Sequence, residues 1–233
     1  MRLIFVRHGE PNYQKDCLTE NGVRQAEDTA ERLRSEDIRA IYASPMGRAQ
    51  ETASYTAKLH NLEIRTLDFM HEIDWGNVRE DQEIPVPHEG HPWTLGYLLL
   101  TESPEYVGSD HWDQHPYFRD NRCLACYRTV AERFDAFLAE FGLVRRNGLY
   151  ECVRENHDTI ALFAHGGSGA VMFSHVLNLP FPFVLTSMPY GVCSVSILDF
   201  EEFPGKKVTP RLELFNDMRH IASCRPEPLH FEK

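Results

Sequence analysis

Two histidines of the sequence each follow directly on an apolar run that has the composition of a buried strand. His8, with its neighbour Arg7, comes after the run at residues 3–6. His165 comes after the run Thr159–Ala164. The carboxyl ends of parallel strands meet at one edge of an α/β sheet, where a crevice for ligands is left open. An imidazole there can act as nucleophile, proton carrier or metal ligand, and an arginine suits phosphate or carboxylate, so the spacing predicts a polar site.

Two further stretches favour an anion as the ligand of that site. Arg48 lies in the first turn of a predicted helix, at an end that already carries a positive partial charge, so a bound anion would relieve the repulsion. Residues 166–168, Gly-Gly-Ser, lead into another predicted helix, at about 169–177, and free amides at a helix start bind anions. A phosphoryl group, with about −1.5 to −2 charges at neutral pH, suits two arginines and such amides.

The covalent catalyst of a phosphate site in this chain is expected to be a histidine. The sequence contains no Gly-x-Ser-x-Gly elbow, no P-loop and no cysteine-based phosphate cradle. Each of those motifs would supply either a different nucleophile or a phosphate-binding loop. The residues alone do not decide between the two strand-end histidines.

Strand and helix patterns alternate along the chain and predict how these residues are positioned. Helical spacing follows Thr19, an expected N-cap, and a second helix is expected to start with Ser44 as N-cap and Pro45 in its first turn. The expected strands are at residues 3–6, 39–43, 63–67, 159–164, 192–200 and 207–215, the last two joined by a turn at Pro204 and Gly205. The pattern predicts an α/β fold, namely a three-layer α/β/α sandwich with a mostly parallel mixed central sheet and an inserted lid segment.

Length and composition narrow the class of protein. The 233 residues fit a single domain, 1–233, better than two, and a net charge of −11 argues against a nucleic-acid surface. No apolar run approaches the ~20 residues that span a bilayer, and no secretory signal is recognisable. The six cysteines have no repeating framework, and Cys123 and Cys126 are interpreted as two helical thiols. We therefore expect a cytoplasmic protein that binds neither nucleic acid nor membrane.

Periodicity fades at about residues 77–121, which we interpret as a lid-like insertion with one helix near 93–101. The segment has nine acidic residues and only two basic ones: Glu80, Asp81, Glu83, Glu89, Glu102, Glu105, Asp110, Asp113 and Asp120 against Arg79 and Arg119. One hypothesis is that an acidic lid repels substrates with additional negative charge, while aromatic residues of the segment pack on a sugar ring or an apolar leaving group. These aromatic residues are Trp93, Tyr97, Tyr106, Trp112, Tyr117 and Phe118. The other hypothesis is a solvated outer face that never meets substrate.

The insertion also contains histidines at spacings that could bind zinc. The two sets are His88 with His91, and His111 with Asp113 and His115. Short patterns of this kind often occur without a metal, and a proline-broken polar surface explains them equally well. A metal site here is the less favoured hypothesis.

Several motifs occur in an order that resembles one known family. They are Arg7-His8-Gly9-Glu10, Leu18-Thr19 with Gly22, Gln25 and Ala26, Ser44-Pro45 with Arg48-Ala49 and Thr52-Ala53, Glu72-Ile73-Asp74-Trp75-Gly76, and Ala164-His165-Gly166-Gly167. The set resembles the histidine phosphatases, also called the phosphoglycerate mutase-like superfamily. The resemblance covers most of the chain outside the insertion, for which we recognise no motif.

The resemblance implies a role for each residue of the phosphate pocket. By it, His8 is the nucleophile that becomes phosphohistidine, and Arg7 and Arg48 bind the phosphoryl oxygens. His165 contributes to the same pocket, and Gly166 is a further phosphate-binding residue. It implies no catalytic metal and no cofactor, because the arginines neutralise the charge.

Glu72 would be the proton donor to the leaving oxygen, by the same resemblance. A carboxyl near the apolar Trp75 is expected to have a raised pKa, which agrees with that role. His71 and Asp74 lie beside it in the sequence and compete for the role of the acid.

Three functions remain open at this point. The first is hydrolysis of the phosphate ester of a small metabolite through a phosphohistidine, and the second is phosphoryl transfer of the phosphoglycerate mutase type. Family mutases have a longer, tryptophan-containing segment after the nucleophile, where this chain has only residues 11–17, which disfavours the mutase. The third is a non-catalytic binding module on the same fold. The expected partner is a small phosphate ester, and a homodimer is compatible with the sequence without being specified by it.

Overall fold

The structure, a computed structural model, describes residues 1–78, 87–201 and 203–224. Within these ranges the strands are β1 (Arg2–Arg7), β2 (Pro11–Asn12), β3 (Cys17–Leu18), β4 (Ile38–Ala43), β5 (Ile64–Thr66), β6 (Leu143–Arg146), β7 (Leu149–Cys152), β8 (Thr159–Ala164), β9 (Val195–Asp199), β10 (Lys207–Val208) and β11 (Arg211–Asp217). The helices of the same ranges are α1 (Glu20–Leu33), α2 (Gly47–His60), α3 (Pro92–Glu102), α4 (Pro116–Arg119), α5 (Arg122–Glu140), α6 (Gly166–Leu177) and α7 (Phe181–Ser187). None of these described helices is long and apolar enough to span a bilayer.

The strands that precede the two candidate histidines are neighbours in the central sheet. Among the described residues, six strands form this sheet in the order β11-β9-β1-β8-β4-β5. β1, β8, β4 and β5 run parallel, whereas β9 is antiparallel to both of its neighbours. Arg7 pairs with Ala164 at the last position of the register. His8 and His165 therefore leave the sheet side by side.

Helices cover both faces of the sheet. Along β1, Leu3 and Phe5 join a core with side chains of α5 and α6, whereas Ile4 and Val6 join a core with side chains of α1 and α2. This division follows from the period of two residues in a strand, which turns successive side chains to opposite faces. The predicted fold class, a three-layer sandwich with a mostly parallel mixed sheet, is confirmed.

A glycine lets α6 approach β1 closely. A Cβ atom at Gly169 would overlap the ring of Phe5 and lie 2.5 Å from the Tyr190 hydroxyl. That hydroxyl donates a hydrogen bond to the carbonyl of Gly166 in the first turn of α6. The close packing brings the start of α6 to the ends of β1 and β8, where the candidate site lies.

The start of α1 is as predicted, but that of α2 is not. Thr19 caps α1 by accepting a hydrogen bond from the Gly22 amide. α2 begins at Gly47 with Met46 as its N-cap, not with Ser44 and Pro45. The prediction failed because the Ser44 hydroxyl is engaged in a tertiary contact with the ring of His165.

The start of α6 also differs from the prediction. The helix begins at Gly166, not near residue 169, so the two glycines lie within its first turn. Glycine is a weak helix former, and its propensity favours a later start. The carboxylate of Glu72 accepts hydrogen bonds from the amides of Gly167 and Ser168 and so stabilises this first turn.

The C-terminal strands only partly follow the prediction. β9 and β11 lie in the central sheet as expected. β10, however, pairs with β7 of the hairpin β6–β7, which together make a second sheet in the described residues. That hairpin was not predicted, although its turn at Asn147 and Gly148, with positive φ at both residues, has the sequence that such turns favour.

The expected insertion begins and ends at paired backbone segments. Asn77 forms a β-bridge with Asn121, and the Val78 amide donates to the carbonyl of Asp120. The Asn121 side chain donates in turn to the carbonyl of Gly90 at 2.7 Å. Between these ends the described residues contain α3, α4 and short 3-10 turns, and α3 matches the helix expected near 93–101. The assignment of 1–233 to one domain stays a prediction.

Gly169→Ala is expected to lower the free energy of unfolding by about 1–3 kcal/mol, because the added methyl overlaps the Phe5 ring. Urea denaturation measures this change. In a Phe5→Leu background, which removes the ring, the same substitution should cost less. Equal costs in the two backgrounds would show that the contact between α6 and β1 does not set the requirement for glycine.

Candidate active site

His8 is held at the end of β1 by backbone contacts on several sides. Its amide donates to the carbonyl of Ala164, and the amide of Cys193 lies 2.9 Å from the Arg7 carbonyl and 3.2 Å from that of His8. The next amide, that of Gly9, donates to the Thr52 hydroxyl at 3.0 Å. The His8 side chain is only 1% exposed. The ring therefore has little freedom to move.

A hydrogen bond fixes which ring nitrogen of His8 carries the proton. Nδ1 lies 2.8 Å from the carbonyl oxygen of Gly9. Since a carbonyl only accepts, Nδ1 must be the protonated donor, and Nε2 of the neutral ring retains its lone pair. Burial and the positive charges of Arg7 and Arg48 lower the pKa of His8 to about 3. The ring is therefore neutral at physiological pH, and its Nε2 can act as a nucleophile.

His165 lies beside His8, with the two ring centroids 5.1 Å apart. Its Nε2 is 2.6 Å from the Ser44 hydroxyl, which also accepts from the Met46 amide. Burial and the neighbouring His8, Arg48 and Arg7 lower the pKa of His165, so this ring is neutral as well. Its Nδ1 is buried and has no partner in the described part of the chain. If Ser44 donates to Nε2, Nδ1 carries a hydrogen for a further acceptor.

The two arginines approach the histidines from different elements. Arg7 at the end of β1 donates to the carbonyl of Tyr190 at 2.9 Å. Arg48 in α2 is 4% exposed and donates to Oδ1 of Asp16 at 2.6 Å. The Nε atoms of both are buried and without partners among the described residues. Each guanidinium thus has donor capacity left for an anion.

Asp16 is a residue of the site that the sequence did not single out. Its Oδ2 accepts from the Gly47 amide at the start of α2, while Oδ1 accepts from Arg48. Desolvation opposes ionisation, but these hydrogen bonds and the charge of Arg48 lower the pKa of Asp16. Asp16 therefore remains ionised and orients the Arg48 guanidinium. Its left-handed backbone, with a φ of 48°, was not predictable from the local pattern.

Glu72 reaches the same site from the chain segment before the insertion. One of its oxygens, Oε1, accepts from the amides of Ile73, Gly167 and Ser168 at 3.0, 2.8 and 3.3 Å. Burial of the carboxyl raises the pKa of Glu72, although these hydrogen bonds and Arg7 act in the opposite direction. Because Oε1 is occupied as an acceptor, the proton of the neutral acid belongs on Oε2.

The contacts of Glu72 correct one expectation about the helix start. The amides of Gly167 and Ser168 are not free for an anion, because they bind this carboxyl. The competitors for the acid role, His71 and Asp74, are exposed, and neither lines the cavity beside the site. Of these three candidates for the acid, Glu72 is the one whose side chain lies near Arg7.

A cavity of about 300 Å³ adjoins these groups. Its charged lining consists of Arg7, Arg48 and Glu72, with Gly166 beside them. The remaining walls are aromatic or aliphatic: Tyr13, Trp75, His91, Trp93, Ala170, Val184, Leu185, Met188, Pro189 and Tyr190. The site thus joins a cationic region, next to the buried histidines, to a largely apolar chamber.

The acidic residues of the insertion that the structure describes lie away from the cavity, and repulsion by an acidic lid stays a prediction. None of the acidic residues in residues 87–121 lines the cavity, and the insertion contributes His91 and Trp93 instead. Glu89, Glu102, Glu105 and Asp110 are exposed to solvent. Glu80, Asp81 and Glu83 lie outside the described residues. A solvated acidic face accounts for the positions seen.

The positions of the described side chains do not support a zinc site in the insertion. Among the described residues, no cluster of three or more His, Cys, Asp or Glu side chains is arranged to bind a metal ion. His115 packs between Tyr106 and Tyr117, and its Nδ1 accepts from the Tyr117 amide. The histidine spacing there reflects packing and capping.

Several solved structures share this architecture, and three of them are phosphatases by name. A mutant phosphoserine phosphatase of Entamoeba histolytica in complex with phosphoserine has a TM-score of 0.60 and 19% identity, covering 94% of this chain and 98% of that one. Mycobacterial glucosyl-3-phosphoglycerate phosphatase has a TM-score of 0.60 and 21% identity, with 92% and 98% covered. The α-ribazole phosphatase of Shigella flexneri has a TM-score of 0.58 and 20% identity, with 93% and 96% covered. At these identities the similarity shows the fold alone.

Sequence comparison goes further than the fold. A probable phosphoglycerate mutase GpmB of Proteus mirabilis is 37% identical over 232 residues, which is 95% of each chain. A protein of the same name from Salmonella typhi is 33% identical, again over 95% of each. Residues 3–212 match the histidine phosphatase superfamily, branch 1. The chain therefore belongs to the histidine phosphatase superfamily.

Proposed function

We propose that this member of the superfamily is a metal-independent phosphomonoester hydrolase that works through a phosphohistidine at His8. The observation that carries the proposal is the hydrogen bond from Nδ1 of His8 to Gly9, which leaves Nε2 of a neutral ring as the nucleophile. The two arginines lie close enough to lower the pKa of that ring. An anionic phosphoryl group bound between them would offset this repulsion and lie next to Nε2.

In the first half-reaction, Nε2 of His8 attacks phosphorus and the bond from phosphorus to the ester oxygen breaks. Arg7 and Arg48 bind the non-bridging oxygens, and the Gly166 amide and Nδ1–H of His165 supply further donors. The Glu72 carboxyl gives its proton from Oε2 to the leaving oxygen, so the products are a neutral alcohol and phosphohistidine.

In the second half-reaction, water attacks the phosphorus of phosphohistidine. The Glu72 carboxylate takes a proton from that water while the bond from phosphorus to Nε2 breaks. Inorganic phosphate leaves, Glu72 is protonated again and His8 returns to its neutral form. The cycle consumes one ester and one water and yields one alcohol and one phosphate.

Independence from metal is part of the proposal because the protein supplies the positive charge itself. Two guanidinium groups give directional donors and charge at the transferring phosphoryl group, which is the contribution a metal ion makes in other phosphoryl-transfer sites. We also propose that the hydrolase is of the histidine acid phosphatase type. A cytoplasmic location and a homodimer stay predictions.

Phosphoryl transfer of the mutase type is the second candidate, and the names of the GpmB relatives favour it. A mutase must hold a substrate that carries a carboxylate as well as phosphate. Among the described lining residues, the permanent cations are Arg7 and Arg48, and both face the proposed phosphoryl site. This lining favours the hydrolase, because the described part of the chain places no additional arginine or lysine there for a second anionic group.

The proposal is tested by phosphate release from 4-nitrophenyl phosphate in the presence of a chelator. We expect turnover by the native chain and none by His8→Ala. His157→Ala is the matched control, because His157 is an exposed histidine paired with Glu155, and it should keep full activity. Release of phosphate by His8→Ala at the native rate would refute the assignment. With 3-phosphoglycerate, isomerisation without phosphate release would favour the mutase.

Glu72→Gln is expected to lower kcat/KM for an alkyl phosphate by about 10²–10⁴, and to have a much smaller effect with 4-nitrophenyl phosphate. A nitrophenolate leaves without protonation, whereas an alkoxide does not. Asp74→Asn, the matched control, should change neither rate. Equal losses for both esters in Glu72→Gln would place the acid elsewhere.

The pH profile of the alkyl ester reaction provides an independent test of Glu72. The raised pKa keeps the donor protonated into mildly acidic solution, and activity should decline as pH rises through that pKa. On the acid side, the low pKa of His8, about 3, predicts that protonation of this ring does not limit kcat/KM in mildly acidic solution. An alkaline limb that persists unchanged in Glu72→Gln would contradict the role.

Arg48→Lys is expected to be nearly as harmful as Arg48→Ala, because an ammonium group cannot contact both Asp16 and two phosphoryl oxygens with the fork geometry of guanidinium. The loss should appear in kcat/KM with every ester. Near-native kinetics of the lysine variant would show that Arg48 does not bind the phosphoryl group.

A further inference from the structure

Three aromatic side chains form a continuous wall on one side of the cavity. The rings of His91 and Trp93 stack with centroids 5.3 Å apart and an interplanar angle of 27°. Trp75 meets His91 edge to face, with centroids 5.5 Å apart. All three line the cavity. We call Trp75, His91 and Trp93 the aromatic wall.

The aromatic wall begins directly beside the proposed phosphoryl site. An ideal Cβ atom at Gly166 would lie 3.6 Å from Cζ2 of Trp93 and 3.6 Å from the guanidinium carbon of Arg7. Trp93 and Arg7 therefore flank the same glycine. A group attached to a phosphoryl oxygen held by Arg7 would meet the Trp93 indole first.

Aliphatic side chains form the remaining part of this chamber. Val184 and Leu185 of α7 line it, together with Met188 and Pro189 that follow the helix. Apart from the imidazole of His91, the aromatic wall and these four residues contain no ionisable side chain. The charged lining residues of the described chain are those already placed around the phosphoryl group.

Buried packing holds the helix that carries Trp93, whereas Trp75 lies before the insertion and is 37% exposed. Leu95 and Leu99 of α3 are fully buried, and Gly96 lies against the Pro182 carbonyl of α7. The His91 ring is 3.2 Å from the Thr94 hydroxyl, one turn into the same helix. Two helices that pack together thus carry Trp93 on one side of the chamber and Val184 and Leu185 on the other. This rigidity favours a preformed slot over one that closes only on binding.

We infer that the chamber is a leaving-group subsite for planar, uncharged aromatic groups, so that the substrates are monophosphate esters whose alcohol carries an aromatic ring. The inference rests on the proposed function and specifies its substrate class. A ring between indole and aliphatic side chains gains apolar burial and offset stacking. A carboxylate or second phosphate there would be desolvated, and the described residues of the chamber include no arginine or lysine to pair with it.

The size of the cavity agrees with a substrate of one or two rings. Its volume of about 300 Å³ is at the lower end of the range for small-molecule pockets. The phosphoryl group takes part of that space. A compact aromatic alcohol fits what remains.

The test compares esters that differ in the ring while the ester bond stays a primary alkyl phosphate. For 3-phenylpropyl phosphate we expect kcat/KM about tenfold higher than for propyl phosphate, mainly through a lower KM. Trp93→Ala should remove most of this preference, and Trp93→Phe should keep it. Tyr97→Ala is the matched control, because Tyr97 is an exposed aromatic residue of the same helix that does not line the cavity.

Two outcomes would overturn the inference: equal kcat/KM for the two esters, or a Trp93→Ala variant that loses activity equally with both. Calorimetric titration with 3-phenylpropylphosphonate and propylphosphonate, which are not hydrolysed, tests the subsite without turnover. Tighter binding of the phenyl compound by the native chain, lost in Trp93→Ala, supports the subsite even if no ester is hydrolysed. In that case the proposed function fails and the binding inference stands.

Discussion

The hydrogen bond from Nδ1 of His8 to the Gly9 carbonyl is the interaction on which the proposed chemistry depends. A neutral imidazole has one lone pair available, and this 2.8 Å contact leaves it on Nε2. The contact exists because the turn after β1 is fixed by the Thr52 hydroxyl and the Cys193 amide. The position of this turn depends on the parallel register of β1 and β8. The geometry of the sheet therefore determines the backbone turn, and the turn determines the tautomer of the His8 ring.

The other polar groups of the site are each oriented by a partner from a distant part of the chain. Asp16 holds Arg48, Ser44 contacts His165, and the first turn of α6 holds Glu72. Such partners reduce the reorganisation needed when a phosphoryl group binds, which is the main contribution of a preorganised site. The same buried environment lowers the pKa of His8 and raises the pKa of Glu72. A neutral nucleophile and a protonated acid can thus coexist over a common range of pH.

Features that depend on local sequence patterns or on the geometry of a parallel sheet were predictable from the sequence. His8 and His165 were expected to meet because each follows a buried strand, and Thr19 was recognised as a cap from its own segment. Contacts across long separations were not predictable: the Asp16 carboxylate reaches the Gly47 amide 31 residues away, and the Glu72 carboxylate reaches the Gly167 amide 95 residues away. The contact of Glu72 explains why the start of α6 was misplaced, and the contact between Ser44 and His165, also far apart in the sequence, explains the same error for α2. The insertion was recognised by its loss of periodicity and its composition, so Trp93 was expected to contact the substrate, but its position in the cavity was not predictable.

The most direct measurement is the chemical identity of the phosphorylated intermediate. Glu72→Gln with 4-nitrophenyl phosphate should form the intermediate and hydrolyse it slowly, because the group that activates water is removed. Phosphorus NMR with labelled histidine, together with peptide mass spectrometry, would locate the phosphoryl group. We expect an acid-labile, alkali-stable phosphoramidate on Nε2 of His8. A phosphoryl group on Nδ1, on His165 or on a hydroxyl side chain would contradict it.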